Sequence, residues 1–347
     1  MPITSEQLQA LSVTSLDEYL KNTPIDQVTQ NRPFLKKMLE NRKKFGGAKQ
    51  FIKETLRTTN DSNFKWAVGE SQIEFKKRNT VMQSEWPWTH CIDSLYRGDD
   101  ELFSNGINVV RGKGADVKLE RSEKNQIIDM ITEDNEVLRD GFFESLDREI
   151  HRDGTASEDA IVGLDALISL TPETGTVGGI NRATYAWWRN HAAKGLSTTN
   201  ILDKMGQAWR DCLRRSKGSQ PDFIIAGWDF IEAYAKSIQH VNNTDAGTAK
   251  KLDGGIGQGE STGLFFKGVP IIWDPTFDTL DDLENPEIKW AKRCYMINTK
   301  KFKWRENGLD VYNPTGPHDT QALFTVASLR CCMSMSQANS HAVLALG

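Results

Sequence analysis

The sequence predicts an α+β fold in which helical and strand-forming segments are largely segregated along the chain. Residues 117–153 show apolar positions at three- and four-residue steps, residues 48–96 alternate with a period of two, and the C-terminal part is rich in strand-like apolar runs. A chain of 347 residues is long enough for about two domains, or for one elongated chain with insertions.

Composition excludes several classes of protein. The sequence has no apolar run long enough for a membrane span, and its first ten residues lack the basic and apolar regions of a secretory signal. The five cysteines form no CxxC motif, and their odd number argues against a disulfide framework. We therefore expect a reducing compartment, and neither redox nor zinc chemistry. A net charge of −4 does not favour general nucleic-acid binding.

The N-terminal region predicts short helices. Thr23 and Pro24 are typical of a helix start, and a second helix is predicted from Pro33 to the Gly46-Gly47 pair. Its apolar face would comprise Phe34, Leu35, Met38 and Leu39. Its last turn would carry Arg42, Lys43 and Lys44. These helices are too polar to form a core alone, so we expect them to act as an arm that lies on another surface.

A long hairpin is predicted over residues 48–96. Phe64, Trp66 and Val68 alternate with Lys65 and Ala67, and Ile73 and Phe75 continue the alternation. The centre of the segment is charged and rich in turn-forming residues. An isolated hairpin is marginally stable in water, so this one is expected to need a partner surface.

Residues 117–153 predict an unusually long helix, spanning roughly 45 Å. Ser122 is a candidate N-cap, Gly154 ends the helix, and Gly141 indicates a kink or a close backbone approach. Further on, segments 157–170 and 197–218 are predicted to be helical or partly helical. A strand is predicted at 221–227, a helix at 228–241, a hairpin around Lys267-Gly268, and strands within 292–306 and 320–346.

Catalytic signals are weak. Gly259–Gly263 matches the G-x-S-x-G motif, but that motif needs a strand before Ser261 and a helix after it, whereas here a Gly-rich segment precedes and a strand follows. A surface loop is the favoured interpretation, and a serine hydrolase using Ser261 is the alternative from a different class. The six histidines show no metal-binding spacing. We expect no catalytic residues, no cofactor and no metal.

The order of elements resembles that of the major capsid protein of tailed phages, with the Hong Kong phage fold shared with encapsulins and the herpesvirus floor domain. The specific part is "GLDAL" at 163–167 followed by "GTVGGINRATYAWWRN" at 175–190, similar to GL-x-x-[LI], GT-x-GGI-[DN]-R and a WWRN-like close. Further stretches that resemble this family lie at 46–56 followed by 61–66, at 152–155 and at 336–347. The resemblance covers essentially the whole chain. It departs at Asn181, where Asp is commoner, and in "QANSHAVL", where an Arg-rich version is usual.

The resemblance implies five regions. They are an N-terminal arm (1–46), an extended loop (47–90), a peripheral domain with a spine helix (91–155), an axial domain (156–285), and return strands of the peripheral domain (286–347). Within the axial domain we interpret the 175–190 cluster as a structural fastening. Glycines would allow its turn, aromatic side chains would anchor it and arginines would bond carbonyls or carboxylates around it. The residues concerned are Gly178, Gly179, Arg182, Tyr185, Trp187, Trp188 and Arg189.

The function implied by the resemblance is self-assembly, without catalysis, into the hexamers and pentamers of an icosahedral phage head that encloses double-stranded DNA without sequence-specific binding. Synthesis would take place in the bacterial cytoplasm and the final location would be the virion, with no membrane partner. Expected partners are further copies of the chain, a separate scaffolding protein, a portal and a decoration protein. An encapsulin-like compartment shell is the alternative within the same fold.

Charge is unevenly distributed along the chain. Residues 1–80 carry 14 Lys and Arg against 9 Asp and Glu, a net charge of +5, whereas residues 116–160 carry 6 against 14, a net charge of −8. Solvated faces are the simple interpretation. The other hypothesis is that basic loop residues meet acidic residues of the next copy's peripheral domain. The basic group is Lys76, Lys77 and Arg78, and the acidic group is Asp140, Glu144 and Asp147.

Overall fold

The structure is a computed structural model of the chain, and it describes residues 30–44, 51–69, 72, 75–98, 121–216, 218–242, 254–256, 262–312 and 322–347. The helices in these residues are α1 (Pro33–Glu40), α2 (Arg121–His151), α3 (Leu164–Leu167), α4 (Ile201–Arg215), α5 (Trp228–Asn242) and α6 (Thr276–Leu283). The first eight strands are β1 (Lys43–Lys44), β2 (Phe51–Arg57), β3 (Val81–Pro87), β4 (Thr89–Gly98), β5 (Thr176–Val177), β6 (Ile180–Asn181), β7 (His191–Leu196) and β8 (Phe223–Ala226). The others are β9 (Gly254–Ile256), β10 (Leu264–Phe266), β11 (Val269–Trp273), β12 (Arg293–Ile297), β13 (Phe302–Glu306), β14 (Asp310–Tyr312), β15 (Ala322–Met335) and β16 (Ala342–Leu346).

The chain divides into two compact units. The smaller comprises Gln30 and the described residues of Ile92–Glu144 and Leu309–Ser328. The larger comprises the described residues of Asn31–Cys91, Ser145–Gly308 and Leu329–Gly347. In the smaller unit, β14 pairs antiparallel with the first half of β15, and Leu138 and Phe142 of α2 are buried. Helix α2 and strands β4 and β15 contribute residues to both units.

A seven-stranded mixed sheet forms the core of the larger unit, in the order β7-β16-β12-β8-β11-β10-β9. Strands β8 and β11 run parallel, as do β7 and β16, and the other neighbours are antiparallel. Helix α4 buries Met205 and Trp209, and α5 buries Phe230 and Tyr234, in one apolar cluster with the sheet. This amphipathic pattern at a helical period explains why both helices were predictable from the sequence.

The second sheet lies partly in the larger unit, where β1 pairs parallel with β13 and β13 pairs antiparallel with β15. Residues 286–347, assigned from the sequence to the peripheral domain, therefore contribute to both sheets: β12 and β16 to the seven-stranded sheet, and β13, β14 and β15 to this one.

Helix α1 begins at Pro33 as predicted but ends at Glu40, well before the Gly46-Gly47 pair. The basic residues expected in its last turn lie elsewhere, because Lys43 and Lys44 form β1 beside Arg305 and Glu306. The predicted apolar face is present. It packs within its own chain, with the Phe34 ring 4.9 Å from His151 and 6.3 Å from Phe302. The helix expected near Thr23 lies outside the described residues.

The predicted hairpin forms only at its base. Strands β2 and β3 pair in register from Phe51 opposite Pro87 to Arg57 opposite Val81. Residues 58–69 and 75–80 have no regular secondary structure, so the strand predicted from alternating apolar residues is wrong there. The apolar side chains in question are not buried in this chain, and no core fixes their alternation. They are Phe64, Trp66, Val68 and Phe75.

The long helix α2 is confirmed, with 31 residues. It already includes Arg121, so Ser122 lies inside its first turn and is not the N-cap. A Cβ added to Gly141 would meet no atom within 4 Å, so this glycine allows no close approach. By contrast, Gly154 has a φ of +81° and a Cβ there would lie 2.6 Å from the Ile161 carbonyl oxygen.

Further along, only α3 is helical within the segment 157–170. The reason is tertiary packing: a Cβ at Gly163 would lie 2.1 Å from the Arg152 carbonyl oxygen, so this segment is held in an extended turn against the end of α2. The predicted strand at β8, the helices α4 and α5, and the hairpin formed by β10 and β11 are confirmed. Its turn has positive φ at Lys267 and Gly268.

A buried carboxylate holds the base of the β2–β3 hairpin. Side chains of β2 alternate between buried and exposed, and Glu54 occupies a buried position between Ile52 and Leu56. Its carboxylate accepts hydrogen bonds from Lys303 Nζ at 3.2 Å, from Ser334 Oγ at 3.3 Å and from Arg305 Nη2. The hairpin is therefore attached to β13 and β15 by a charge cluster as well as by apolar packing.

We predict that Glu54→Gln lowers the free energy of unfolding by about 3 kcal/mol, because it leaves two partly buried cations without their carboxylate. Urea unfolding followed by circular dichroism measures this. Glu85→Gln is the matched control, since Glu85 lies on the same hairpin but pairs with Lys53 in solvent, and it should cost less than about 1 kcal/mol. Equal losses in the two variants would show that the buried cluster does not hold the hairpin.

Candidate functional site

The turn at residues 175–190 is built on glycine geometry. Strands β5 and β6 pair antiparallel, and the chain reverses between them through Gly178 and Gly179, at φ values of +59° and +76°. Gly175 also has a positive φ, of +86°, and its carbonyl accepts the Arg182 N–H at 2.9 Å. Residues with a Cβ rarely adopt this conformation, so glycine is required by the backbone.

The same turn receives the β2–β3 hairpin. A Cβ on Gly178 would lie 2.8 Å from Cζ2 of Trp86, so the indole packs directly on the glycine backbone. Trp86 is fully buried and donates its indole N–H to Ser84 Oγ at 3.0 Å, while the main-chain N–H of Glu85 donates to the Gly178 carbonyl at 2.9 Å. Gly178 thus serves both the turn and the docking of the hairpin.

The aromatic residues of the turn differ in burial. Trp188 is fully buried and donates its indole N–H to the Val177 carbonyl at 2.9 Å. Tyr185 and Trp187 are half-buried, and the Trp187 ring lies 5.9 Å from Tyr185 and 5.6 Å from Trp188. Trp188 supplies the anchor, Trp187 packs against its ring, and Tyr185 packs against Trp187.

Both arginines of the turn bind main-chain carbonyls. Arg182 is buried and donates from Nη1 to Ala166 O at 3.0 Å and from Nη2 to Leu167 O at 2.5 Å, and burial lowers its pKa to about 10. Arg189 donates from Nε to Arg182 O at 2.7 Å and from Nη2 to Ala183 O at 2.9 Å. These guanidinium groups fix the backbone of the turn. The geometry is that of a structural element, with its polar groups directed at its own chain.

A second polar cluster is buried where α2 ends. The distance from His151 Nε2 to Asp274 Oδ2 is 3.0 Å, and the distance from His151 Nδ1 to the Asp147 carbonyl oxygen is 2.6 Å. Thr276 donates its hydroxyl to Asp147 Oδ2 at 2.5 Å, and its main-chain N–H donates to Asp274 Oδ1 at 3.1 Å. All four side chains are buried. The cluster connects the last turn of α2 to the start of α6.

The two ring nitrogens of His151 both face acceptors, so the imidazole is held in its doubly protonated, charged form. Burial alone would lower the pKa of His151, but Asp274 and Asp147 oppose this and raise it to about 9. Burial raises the pKa of Asp147 to about 6. One ligand atom from each of these three residues lies within 4.8 Å of the others, a spacing compatible with a metal. Because Nδ1 donates to the Asp147 main-chain carbonyl, only Nε2 of the imidazole could bind a cation, and Nε2 is already hydrogen-bonded to Asp274 Oδ2 at 3.0 Å.

The predicted acidic contact residues fall in different environments. Asp140 is exposed on α2, and Glu144 is half-buried. Asp147 is 1% exposed and bound to Thr276, so its assignment to a contact with another copy is wrong. It lies on the apolar side of α2, between Leu146 and Ile150 in the helical period, where its carboxylate serves the internal cluster.

The basic loop residues lie in the segment between β2 and β3. Lys77 and Arg78 are exposed, and Lys76 Nζ lies 3.0 Å from Asp61 Oδ2 across the same segment. Trp66 and Phe75, which share this segment, are 88% and 94% exposed. The segment therefore presents cations and large apolar groups together.

Ser261 lies outside the described residues. The strands on either side of it, β9 and β10, pair antiparallel with Leu264 opposite Ile256, so the segment joins two neighbouring strands. A nucleophile elbow would require a helix after the serine. The flanking geometry does not match that requirement.

Sequence reasoning missed the residues that hold the hairpin and the end of α2. The burial of Glu54 could have been inferred from the sequence, since it occupies an apolar position in the alternation of β2. His151 also had a detectable signal, because it follows Asp147 at the four-residue helical spacing. Trp86 and Asp274 had none, because their partners are far away in the sequence.

Comparison with known proteins gives a match only at the level of structure. No profile of a known protein family and no curated protein sequence matches the chain. The capsid asymmetric unit of cyanophage A-1(L) matches with a TM-score of 0.60 and 14% identity, over 96% of this chain and 98% of that chain. The capsid of the Myoviridae phage XM1 matches with a TM-score of 0.56 and 12% identity, over 96% and 98% of the two chains. The capsid of a native GTA particle matches with a TM-score of 0.52 and 12% identity, over 97% and 98%.

The chain therefore has the fold of these capsid proteins, and the resemblance inferred from the sequence is confirmed at that level. At such low identity the match defines the fold, and the α+β class is confirmed with it. None of the helices in the described part of the chain is both long and apolar enough to cross a membrane.

We predict that Trp188→Ala lowers the free energy of unfolding by about 3–5 kcal/mol, because it removes a fully buried indole and leaves a cavity. Thermal unfolding and soluble yield measure the effect. Trp187→Ala is the neighbouring control, and it should cost clearly less because that ring is half-buried. If Trp188→Ala unfolds like the wild type, the turn is not fastened by this side chain.

From the raised pKa of His151 we predict that the free energy of unfolding of the protein declines as the pH rises. The folded pKa of about 9 lies above the ordinary value of 6.5, so the contribution of His151 is complete below pH 6.5 and is lost as the pH passes 9. The raised pKa of Asp147 acts in the same direction between about pH 4 and 6. We expect His151→Gln to be less stable than the wild type at pH 6.5 by about 2–3 kcal/mol, and this difference to shrink by pH 9.5.

His341→Gln is the control, because the pKa of His341 is shifted in the opposite direction to that of His151. His341 is buried, and burial lowers its pKa to about 3, so its stabilising contribution appears as the pH rises toward 6.5. Unfolding curves at several pH values separate the two residues. A difference between wild type and His151→Gln that is constant from pH 6.5 to 9.5 would contradict the charged state assigned to His151.

Proposed function

We propose that the chain is a major capsid protein that assembles into the hexamers and pentamers of an icosahedral phage head enclosing double-stranded DNA. The observation that carries this proposal is the match to phage capsid structures over nearly the full length of both chains. A fold alone does not define a function, so the proposal needs the assembly experiment described below.

A structural, non-enzymatic role agrees with the chemistry of the described residues. The guanidinium groups of Arg182 and Arg189 donate to main-chain carbonyls, with only Arg182 Nε of these groups buried without a partner. The His151 cluster is buried and internally satisfied except at one carboxylate oxygen of Asp147. A catalytic site needs a nucleophile, a base and a substrate cavity in reach of one another. A hydrolase using Ser261 would be recognised by esterase activity lost in Ser261→Ala.

In this proposal, residues 1–46 form the N-terminal arm, 47–90 the extended loop, 91–155 with 286–347 the peripheral domain, and 156–285 the axial domain. The protein is made in the host cytoplasm and ends in the virion, with a separate scaffolding protein, a portal and a decoration protein as partners. An encapsulin-like shell is the alternative function of the same fold. Purification of an enzyme cargo with the particles would favour it over the phage head.

The segment between β2 and β3 is the proposed contact with a neighbouring copy. Lys76, Lys77 and Arg78 would meet Asp140 and Glu144 of the next copy, with Asp147 excluded because it is buried. The exposed side chains of Trp66 and Phe75 would add apolar area to the same contact. Exposed ion pairs contribute only about 0–1 kcal/mol each, but many repeats of one contact set the register of assembly.

We predict that the purified wild-type chain forms megadalton particles in size-exclusion chromatography and negative-stain microscopy. The triple variant Lys76→Glu, Lys77→Glu and Arg78→Glu should remain folded by circular dichroism yet lose most of these particles, because it places like charges opposite the acidic residues. Raising salt should weaken wild-type assembly, since exposed charges are screened beyond about 8–10 Å.

A triple reversal on α4 serves as the matched control, because it changes the net charge equally at exposed positions. Its residues are Lys204, Arg210 and Arg214. Loss of particles in both triple variants would attribute the effect to net charge and contradict the loop contact. A wild-type chain that stays a compact monomer under all assembly conditions would contradict the capsid function itself.

A further inference from the structure

Two cysteines from distant parts of the sequence face each other in the larger unit. Cys91 lies on β4 and Cys331 on β15, two paired strands, and their Sγ atoms are 3.8 Å apart although 240 positions separate them. Thr89, two residues before Cys91, donates its hydroxyl to the Cys331 carbonyl at 2.9 Å, which fixes the local alignment of the strands. Cys91 is half-buried and Cys331 fully buried.

We propose that Cys91 and Cys331 form a redox-active dithiol that closes to an intramolecular disulfide when the chain meets a small-molecule disulfide such as oxidised glutathione. The odd cysteine count and the absence of CxxC predicted no such chemistry, because that reasoning considers only residues close in sequence. The strand pairing brings the two thiols together. This inference does not depend on the proposed capsid function.

The two thiols have unequal roles in the reaction. The hydrogen bond from the Cys331 thiol lowers the pKa of Cys91, and Cys91 is the more accessible of the two, so its thiolate attacks first. That attack forms a mixed disulfide and releases one small thiol. In the dithiol the pKa of Cys331 is raised, first by its hydrogen bond to the Cys91 thiol and then by burial. The mixed disulfide on Cys91 removes the first of these causes, so the Cys331 thiol then loses its proton to solvent and attacks the Cys91 sulfur, releasing the second small thiol. Overall, two protein thiols are oxidised to one disulfide and one small disulfide is reduced to two thiols.

The geometry requires only a local movement. A disulfide needs its sulfur atoms about 2.05 Å apart, and rotation of two side chains on neighbouring strands shortens a 3.8 Å separation to that range. Cys332 cannot substitute for Cys331, because successive side chains of a strand point to opposite faces. Cys212 and Cys294 are fully buried elsewhere, and burial raises the pKa of both thiols, so neither supplies the accessible thiolate that starts the exchange.

The bond would close a loop of about 240 residues, which includes the segment Ser145–Gly308 of the larger unit. Cross-links over long loops remove much conformational entropy from the unfolded chain. Strand β4 follows the hairpin strand β3 after a single residue, so the bond would also attach the exit of the hairpin covalently to the sheet.

The test counts thiols on the full-length protein. The reduced chain is incubated at pH 8 with or without oxidised glutathione, denatured, and alkylated with N-ethylmaleimide, and the adducts are counted by intact mass. All five cysteines are free in the structure, so the untreated chain should take five adducts. The treated chain should lose two adducts, gain no glutathione mass, recover both adducts after reduction, and unfold at a higher temperature than the reduced chain.

Single variants assign the pair, because the tryptic peptide 331–347 contains both Cys331 and Cys332. Cys332→Ser should still lose two thiols to the disulfide. Cys331→Ser should stop at a glutathione adduct on Cys91, and Cys91→Ser should form neither product. Retention of five adducts in the wild type, or loss of the cross-link in Cys332→Ser with its retention in Cys331→Ser, would overturn the proposal.

Discussion

The docking of the β2–β3 hairpin onto the glycine turn is the contact on which much of the larger unit depends. A two-stranded hairpin does not bury enough surface to be stable alone, so its position must come from outside it. Trp86 supplies that position by packing on the bare backbone of Gly178, and any side chain at this position would separate the two surfaces. Trp188 and Arg182 fix the glycine turn itself, because both donate hydrogen bonds to main-chain carbonyls nearby.

Buried charge reinforces the same connections. Glu54 links the hairpin to β13 and β15, and His151 links the end of α2 to the start of α6. Each of these groups would be costly to bury alone, and each is held by partners from segments far apart in sequence. Apolar packing would tolerate small shifts between the segments. Directional hydrogen bonds to charged groups specify one arrangement of these segments.

The sequence predicted elements wherever the periodic pattern faces a core of the same chain. Helices α2, α4 and α5 and strand β8 follow their patterns because their apolar faces are buried locally. The prediction failed for residues 58–69, where apolar alternation has no core to face. Residues 157–170 are only partly helical, as predicted, because Gly163 is held against the end of α2. At the site, the glycine and arginine roles in the 175–190 turn follow from residue chemistry. The contacts of Trp86 and the burial of Asp147 depend on tertiary packing that no local pattern encodes.

In the exposed segment between β2 and β3, the requirements of folding and the requirements of contact with other molecules fall on different side chains. Side chains such as Trp66 and Phe75 contribute almost nothing to the folding of their own chain, since they are nearly fully exposed. Substitutions at these positions are therefore invisible to any screen that reports only expression or folding. Under the proposed assembly, a deep mutational scan read out by folding and a second scan read out by particle yield would differ most at these residues, and that difference would mark the surface that neighbouring copies cover.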